Sequence, residues 1–403
     1  MKVLTSARVV FLAGTIATCW PVLCAQTASP HAVVGTVLPL AGPTAGACAY
    51  FTSHDLFCPA QLRQAYMTSF IANSHDGAGI TVFIVDAFDL PDVVSDLSDF
   101  SSQTGLPQMD GVGGDPTFTK LEPFGKPPTA VGTGWEYQIA LDTQWVHAMA
   151  PKTNIVLVEA LSASWADLSN ALSYAVTTAS GEKTALVSCS WGVPEFVGQT
   201  SFDSSVLSGA NVPVIVSTGS SGAPGQFPAV SQYVTAIGGT TFAVNSLGYR
   251  SSETGWSSSG GGVSMYEPTP NFQSSNGVNF GARATPDVAL DANPSTGVMI
   301  SLTGELHEYV GVGGAGLACP LFAGFLADVD GARLASTKVP LGSSSNVVNQ
   351  ELYALYNSAL YRYDFLDVTS GNNGFSAGPG FDLVTGLGVP SQPALAARLV
   401  ALP

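Results

Sequence analysis

The sequence predicts an α/β fold in which helices cover both faces of a mainly parallel central sheet. Short apolar runs of strand length alternate with helical patterns along the chain, which is typical of βα units. The chain has 403 residues, of which 46% are hydrophobic and 10% are charged, so it is long and apolar enough to bury a large core. Its pattern shows no internal repeat and no boundary after about residue 60, and we therefore expect one large domain.

The predicted strands and helices follow one another in a regular order. The clearest strand is the apolar run from Ile80 to Val85. The later elements are a helix from Trp135 to Ala150, a strand over 155–158, a helix from its N-cap Ser164 to about Thr178, strands over 185–187 and 214–216, and a last helix from Pro320 to about Ala335. Because ligands bind beyond the carboxyl ends of parallel strands, we expect functional residues in the segments 86–92, 188–195 and 217–226.

The first 25 residues have the pattern of an export signal. Lys2 and Arg8 precede an apolar run over 9–19, and Ala25 provides a small residue at the expected cleavage site. We predict a signal peptide over residues 1–25 and a secreted or periplasmic mature protein, with an uncleaved N-terminal anchor as the alternative. No other segment approaches about 18 apolar residues, so we expect no membrane association after cleavage.

Composition sets the remaining expectations about domains and partners. Residues 26–56 are rich in Ala, Pro, Gly and Thr, which predicts an irregular N-terminal arm before a main domain over 57–403. The chain has 13 Lys and Arg against 29 Asp and Glu, a formal net charge of −16, and no basic cluster. This balance excludes a nucleic-acid partner, because phosphate binding needs clustered positive charge. We expect a monomer whose ligand, if it has one, is a peptide or protein.

Four cysteines remain after the predicted cleavage. Cys48 and Cys58 flank a short loop, and an exported protein can form disulfides, so we predict that these two pair. Cys189 and Cys319 lie in apolar surroundings and are predicted to be buried thiols, although their spacing does not decide whether they pair. The sequence has no CxxC or His/Cys cluster that would indicate zinc.

Five passages resemble, in the same order, those of the sedolisin family of serine-carboxyl peptidases. They are GWEYQIALDTQWVHAMAP over 134–151, STGSSG over 217–222, RATPDV over 283–288, GGAGLACP over 313–320 and GPGFDLVTGLG over 378–388. Each passage is weak alone, but the ordered set is specific. The resemblance implies a subtilisin-like fold.

The resemblance also implies a set of catalytic positions. The family uses a Ser nucleophile, a Glu base, an Asp that supports this Glu, and a second Asp in the oxyanion site. Carboxyls buried beside one another have separated pKa values, so one can act as a base while another stays protonated. In this sequence Asp142 matches the supporting Asp, but Gln138 stands at the Glu and Ser220 at the oxyanion Asp. Gly316 stands at the nucleophile, with Pro320 setting the register.

These replacements predict an inactive homologue with a peptide-binding cleft. Gly316 has no side chain with which to form an acyl-enzyme, and the amide of Gln138 is not a base in this pH range. Gln138 can instead donate an N–H to Asp142. One alternative is an active, acid-acting serine-type endopeptidase that uses substitute groups or a different alignment. Another is a structural envelope or surface protein that keeps the fold for its durability.

The C-terminal passage matches the family's calcium site. The resemblance implies that Asp367 and Asp382 provide carboxylates, and that Val368, Gly378 and Gly380 provide main-chain carbonyls, to one Ca²⁺ ion. Hard oxygen ligands on a Gly-rich loop suit this ion, because glycine lets carbonyls turn inward. A solvated Asn/Gly loop is the alternative.

Overall fold

A computed structural model of the protein describes residues 26–39, 47–67, 75–245, 250–302, 308–341, 346–390 and 394–403. The predicted signal peptide over 1–25 lies outside the described residues. The strands are β1 (Ser29–Pro30), β2 (Val33–Pro39), β3 (Thr81–Ala87), β4 (Phe118–Leu121), β5 (Asn154–Ala160), β6 (Ala185–Cys189), β7 (Trp191–Gly192), β8 (Val214–Ser217), β9 (Thr235–Val244), β10 (Arg250–Gly255), β11 (Gly262–Val263), β12 (Ala284–Thr285), β13 (Val288–Asp291), β14 (Val298–Leu302), β15 (Glu308–Gly313), β16 (Phe365–Leu366) and β17 (Val389–Pro390).

The helices lie between and after these strands. They are α1 (Ala47–Thr52), α2 (Pro59–Met67), α3 (Val93–Thr104), α4 (Trp135–Met149), α5 (Trp165–Gly181), α6 (Gln199–Phe202), α7 (Asn271–Ser274), α8 (Ala315–Ala335), α9 (Val347–Tyr356), α10 (Tyr361–Asp364) and α11 (Ala394–Ala401). A π-helical turn over Asp203–Leu207 continues α6. The N-cap of α5 is Ser164, as predicted, and its side chain accepts a hydrogen bond from the backbone N–H of Asp167.

An eight-stranded sheet forms the centre of the fold and confirms the predicted α/β class. Its order is β10-β9-β8-β6-β3-β5-β4, with β13 also pairing with β9. All of its pairs are parallel except β9 with β10. Every residue of β6 and β8 is buried, which requires packing on both faces of the sheet. Helices α4 and α8 pack against each other and against several of these strands, and α5 packs against β3, β5 and β6.

The central helix α8 is longer and more apolar than the sequence analysis predicts. It begins at Ala315, five residues before the predicted start at Pro320, and it is 21 residues long. By length and composition alone it could cross a membrane, which corrects the expectation that no further segment is apolar enough. The helix is buried inside the protein from Ala315 to Arg333, as expected of a core helix that packs against α4 and the sheet.

The N-terminal arm contains regular structure where the composition predicts none. Strand β1 pairs antiparallel with β7, and β2 pairs antiparallel with β15 at the edge of a second sheet. Residues rich in Ala, Pro and Gly carry little local preference, so the free edges of these two partner strands determine the conformation of the arm. The predicted disulfide between Cys48 and Cys58 is present, and Cys189 and Cys319 are buried free thiols.

Candidate functional site

The four residues that the resemblance matches to catalytic positions, which we call the family positions, lie in one cleft between α4, α8 and the loop after β8. The side-chain amide of Gln138 donates to the carbonyl of Gly316 at 3.4 Å. The hydroxyl of Ser220 accepts from the backbone N–H of Ala315 at 2.9 Å. Asp142 lies one turn along α4 from Gln138, on the same helix face, and is fully buried.

Pro320 explains why the carbonyl of Gly316 is available to Gln138. In a regular helix this carbonyl would accept from the N–H four residues later, but proline has none. The amide of Gln138 supplies a replacement donor, which allows a proline within the second turn of α8. This compensation is the reason that α8 begins well before the proline.

The cleft holds a peptide bond of the N-terminal arm. The carbonyl oxygen of His31 accepts from the hydroxyl of Ser220 at 2.7 Å and from the backbone N–H of Gly316 at 3.2 Å. The backbone N–H of Ala32 donates to the side-chain carbonyl of Gln138 at 2.6 Å. Three of the four family positions therefore hold the two ends of the His31–Ala32 peptide bond.

Residues 26–32, which we call the docked segment, extend this contact as a strand. The backbone N–H of His31 donates to the carbonyl of Ser190 at 3.0 Å, and that of Ala28 donates to the carbonyl of Ala163 at 2.8 Å. Ser29 pairs with Gly192 in the β1–β7 ladder. The docked segment thus lies in the cleft as an added β-strand.

Two glycines make this close backbone approach feasible. A Cβ on Gly316 would lie 2.4 Å from the side-chain oxygen of Gln138 and 2.7 Å from both the Ala32 nitrogen and the His31 carbonyl carbon. A Cβ on Gly314, where φ is +94°, would lie 1.9 Å from the His31 oxygen. Side chains at either position would collide with the backbone of the docked segment.

The imidazole of His31 occupies a pocket lined by neutral groups. Its Nδ1 lies 2.6 Å from the hydroxyl of Ser217, and its Nε2 lies 2.8 Å from the side-chain oxygen of Gln226. The residue is 2% exposed. Burial lowers the pKa of His31 to about 4, against the smaller opposing effect of the hydrogen bond to Gln226.

A second buried pocket, which we call the carboxyl pocket, surrounds Asp142. Its Oδ1 accepts from the hydroxyl of Ser190 at 2.7 Å, while its Oδ2 has no hydrogen-bond partner among the described residues. Burial raises the pKa of Asp142 to about 8, although the hydrogen bond from Ser190 and the nearby polar side chain of Gln138 oppose this shift. Burial, followed by the charges of Asp142 and Glu159, raises the pKa of Asp86 well above its ordinary value. Asp142 therefore keeps an acidic neighbour, whereas the predicted bond from Gln138 is absent from the described hydrogen bonds, because the amide of Gln138 donates to Gly316.

The predicted calcium ligands lie together in a second region. The N–H of Gly380 donates to both oxygens of Asp367 at 3.1 Å, and the N–H of Gly378 donates to Oδ2 of Asp382 at 2.9 Å. Neither carboxylate has a Lys or Arg partner within the described ranges. Val368 is buried beside Asp367. Two carboxylates without a counter-cation on one Gly-rich loop fit the donor set that Ca²⁺ prefers.

Another acidic group has different partners. Ligand atoms of Asp89, Glu122 and Glu159 lie within 4.8 Å of one another. The ammonium of Lys120 bonds to Asp89 and lies 3.8 Å from Glu159, and Lys126 lies 3.4 Å from Asp89. Both lysines pair with Asp89, so this group is an ion-pair cluster around Asp89 and not a set of free carboxylates.

Sequence reasoning missed the residues that fill the cleft. His31 and Ser217 are 186 positions apart, and no local pattern joins them. Asp86 and Ser190 lie in the loop segments 86–92 and 188–195 that the strand ends predict, so that signal was sufficient to find them.

Comparisons with known proteins identify relatives of this chain. It is 31% identical to kumamolisin from Bacillus sp. (strain MN-32) over 374 residues, which cover 83% of this chain and 62% of kumamolisin. It is 34% identical to sedolisin from Pseudomonas sp. (strain 101) over 177 residues, which cover 40% of this chain and 28% of sedolisin. Human tripeptidyl-peptidase 1 is 32% identical over 200 residues, 43% of this chain and 33% of the relative. No protein-family model matches the chain.

A solved structure shows the same fold. Pseudomonas sedolisin, a serine-carboxyl proteinase complexed with two molecules of pseudo-iodotyrostatin, superposes with a TM-score of 0.70 at 25% identity. The match covers 85% of this chain and 98% of that one. The chain spans 62% of the length of kumamolisin and smaller shares of the other curated relatives. These sequence and structural similarities show that the chain is a homologue of the sedolisin family of serine-carboxyl peptidases.

Proposed function

We propose that this chain is an exported sedolisin homologue that does not hydrolyse peptides and whose cleft binds an extended strand. The observation that supports this proposal most directly is the position of the His31–Ala32 peptide bond. Its carbonyl is held by two donors, as an oxyanion site holds a carbonyl under attack, yet Gly316 offers no nucleophile beside it.

The neutral groups in the cleft suit binding better than acid–base chemistry. Gln138 uses its carbonyl to accept from Ala32 and its amide to donate to Gly316. Ser220 likewise donates to His31 and accepts from Ala315. These bonds satisfy the polar groups of a strand without any proton transfer, which is what a binding site requires.

A proteolysis assay tests the proposal. The purified mature chain is incubated with denatured casein between about pH 3 and pH 7, the range in which carboxyl groups titrate. We expect no cleavage, and we expect the triple variant Gln138→Glu, Ser220→Asp, Gly316→Ser to gain activity. The serine side chain at position 316 would displace the docked segment, so the readout for this variant is the cleavage of added casein. Cleavage of casein by the unaltered chain would contradict the proposal.

The alternative of an acid-acting peptidase gains support from one observation. The hydroxyl of Ser190 donates to Asp142 in the carboxyl pocket, which pairs a serine with an acid. Because burial raises the pKa of Asp142 to about 8, this acid could take the serine proton only in the fraction of molecules in which it is ionised. Both residues are fully buried, and the carbonyl of Ser190 accepts from the backbone N–H of His31. If the unaltered chain cuts casein, Ser190→Ala and Asp142→Ala should each abolish the cleavage, whereas Ser221→Ala, which changes an exposed serine nearby, should not.

The proposed function also includes one bound calcium ion and an exported location. The convergence of Asp367 and Asp382 without cationic partners supports one Ca²⁺ ion, for which Val368, Gly378 and Gly380 would provide carbonyl oxygens. The ion would neutralise the two carboxylates and stabilise the C-terminal loop. The disulfide between Cys48 and Cys58 supports a secreted or periplasmic location.

A further inference from the structure

A lysine, an aspartate and a glutamate from three neighbouring strands of the central sheet meet at the end of β5. Lys120 lies on β4, Glu159 lies near the end of β5, and Asp89 follows the end of β3. Because β5 lies between β3 and β4 in the sheet, Glu159 stands between the other two residues. The ammonium of Lys120 bonds to Oδ1 of Asp89 and lies 3.8 Å from Oε1 of Glu159. The sheet thus holds one amine against two carboxyl groups.

The two carboxyl groups of this contact are shielded from water. The side chain of Glu159 is 0% exposed and that of Asp89 is 2% exposed. Oε1 of Glu159 accepts from the backbone N–H of Leu90 at 3.4 Å, whereas Oε2 has no hydrogen-bond partner among the described residues. Burial raises the pKa of Glu159 to about 8, although the charge of Lys120 opposes this shift. At neutral pH Glu159 is therefore mostly a neutral acid with a proton to transfer.

We propose that Lys120 and Asp89 condense to an isopeptide bond, with Glu159 as the group that transfers a proton between them. The ammonium first passes one proton to the carboxylate of Asp89, because a neutral amine and a neutral acid are favoured over ions where water is excluded. Nζ then forms a bond to Cγ of Asp89. Glu159 takes a second proton from the nitrogen and gives its own to the hydroxyl group, which leaves Cγ as water. The nitrogen keeps one proton as the amide N–H, and no oxidant or reductant is needed.

Two physical features favour this condensation. The fold holds the amine and the carboxyl in contact, which raises their effective concentration far above that of the same groups free in solution. The product also replaces an ion pair by a neutral amide, which removes the cost of keeping an ionised carboxylate at a site that is 2% exposed. The bond would join β4 to the segment after β3, across β5. The proposal does not depend on whether the cleft hydrolyses peptides.

A second lysine beside the same carboxylate provides a matched comparison. The ammonium of Lys126 lies 3.4 Å from Oδ2 of Asp89, but its side chain is 73% exposed. That of Lys120 is 23% exposed and lies against Glu159. A hydrated ammonium keeps its three protons and has no lone pair with which to attack carbon. We therefore expect Lys126 to remain an ion-pair partner of Asp89.

Mass spectrometry of the purified mature chain, reduced and denatured, measures the bond directly. We expect an intact mass lower than that of the linear chain by one water molecule. Trypsin cuts only after a free lysine or arginine, so it should not cut after Lys120. The digest should instead contain a branched peptide in which Lys120 is joined to Asp89.

Three variants assign the loss of water to this contact. Lys120→Arg keeps a positive partner for Asp89 but cannot form the bond, so it should have the full linear mass. Glu159→Gln keeps the size of the side chain but cannot transfer a proton, so most of this variant should also have the full mass. Lys126→Arg should still lose one water molecule. The fold of each variant is checked by circular dichroism, and the unaltered chain alone decides whether the bond exists.

Three results would overturn the proposal. The first is the full linear mass in the unaltered chain, together with tryptic cleavage after Lys120. The second is a loss of water that persists in Lys120→Arg, which would place the dehydration elsewhere. The third is a branched peptide that contains Lys126 in place of Lys120. Complete condensation in Glu159→Gln would contradict the role of Glu159. Because these measurements use no substrate, the casein assay is judged separately.

Discussion

The pocket around the imidazole of His31 and the carboxyl pocket around Asp142 respond to acid in opposite ways. His31 is buried as a neutral base, so protonation disfavours its docked position. Asp142 and Asp86 are buried acids, so protonation favours the folded protein. Both pockets lack an ion of opposite charge, and the difference lies only in which protonation state is neutral. Acid should therefore favour the buried position of Asp142, whereas it should disfavour the buried positions of His31 and of His147, whose pKa burial also lowers to about 4.

The largest expected effect is the pH dependence of global stability. In the unfolded chain the carboxyls ionise near pH 4, whereas burial raises the pKa of Asp142 and of Glu159 to about 8. The folded state then holds the extra protons between these values, so the contribution of these two groups is lost as the pH rises to 8. Below pH 6.5 the buried histidines His31 and His147, whose pKa values burial lowers to about 4, act in the opposite direction. We therefore expect the free energy of unfolding, measured in denaturant at several pH values, to fall by roughly 3 to 4 kcal/mol between pH 6.5 and pH 8.

The variant Asp142→Asn provides the control for this prediction. It removes one titrating group but keeps the size of the side chain, so the stability should depend less on pH than in the unaltered chain. A stability that does not fall between pH 6.5 and pH 8 would show that Asp142 and Glu159 are ionised in the folded protein. The raised pKa values of the carboxyl pocket would then be wrong.

The next largest effect is expected from a methyl group at the closest contact with the docked segment. In Gly316→Ala the new Cβ would collide with the backbone of His31 and Ala32, so the segment should leave the cleft at every pH. Loss of the bonds to Ser220, Gly316 and Gln138 should cost about 3 kcal/mol of unfolding free energy.

A matched glycine tests whether that cost is specific to the cleft. Gly181, at the end of α5, has open space where a Cβ would lie, so Gly181→Ala should change stability little. Hydrogen exchange at Ala28 should rise in the Gly316 variant alone. Unchanged exchange there would mean that the docked segment tolerates the methyl group.

Chelation tests a region outside both pockets. If Asp367 and Asp382 hold Ca²⁺, a chelator should lower the melting temperature, by an amount equivalent to about 2.7 kcal/mol if the ion was present at 100 times its Kd. Asp382→Asn should remove this sensitivity to the chelator. Asp89→Asn, in the ion-pair cluster with Lys120 and Lys126, should keep it. Protection of the docked segment should not change with calcium. A melting temperature that the chelator does not change would contradict the proposed calcium site.

The smallest predicted effect concerns a single hydroxyl in the cleft. Ser220→Ala removes a donor to the carbonyl of His31 and an acceptor for the N–H of Ala315, and should cost about 1–2 kcal/mol. The neighbouring Ser221 is exposed, and Ser221→Ala should be close to neutral. Equal stabilities of the two variants, measured by denaturant unfolding, would show that Ser220 does not hold the docked segment.

Local patterns were sufficient for much of the fold and for the location of the site. The apolar runs predicted the central strands, Ser164 predicted the start of α5, and the short loop predicted the disulfide between Cys48 and Cys58. The start of α8 was misplaced because proline usually marks a first turn, and the amide that compensates for Pro320 comes from another helix. The residues next to Pro320 in the sequence therefore cannot predict this hydrogen bond.

The sequence by itself determined the α/β class, the order of the elements and the neutral residues at positions 138, 220 and 316. Only the tertiary structure decided what fills the cleft and which titratable groups are buried there. The physical reason is that the docked segment has little conformational preference of its own, so its position depends on hydrogen bonds to strand edges and loops far away in the chain. The same holds for pKa values, because burial comes from the packing of many elements and not from the residues on either side of His31 or Asp142.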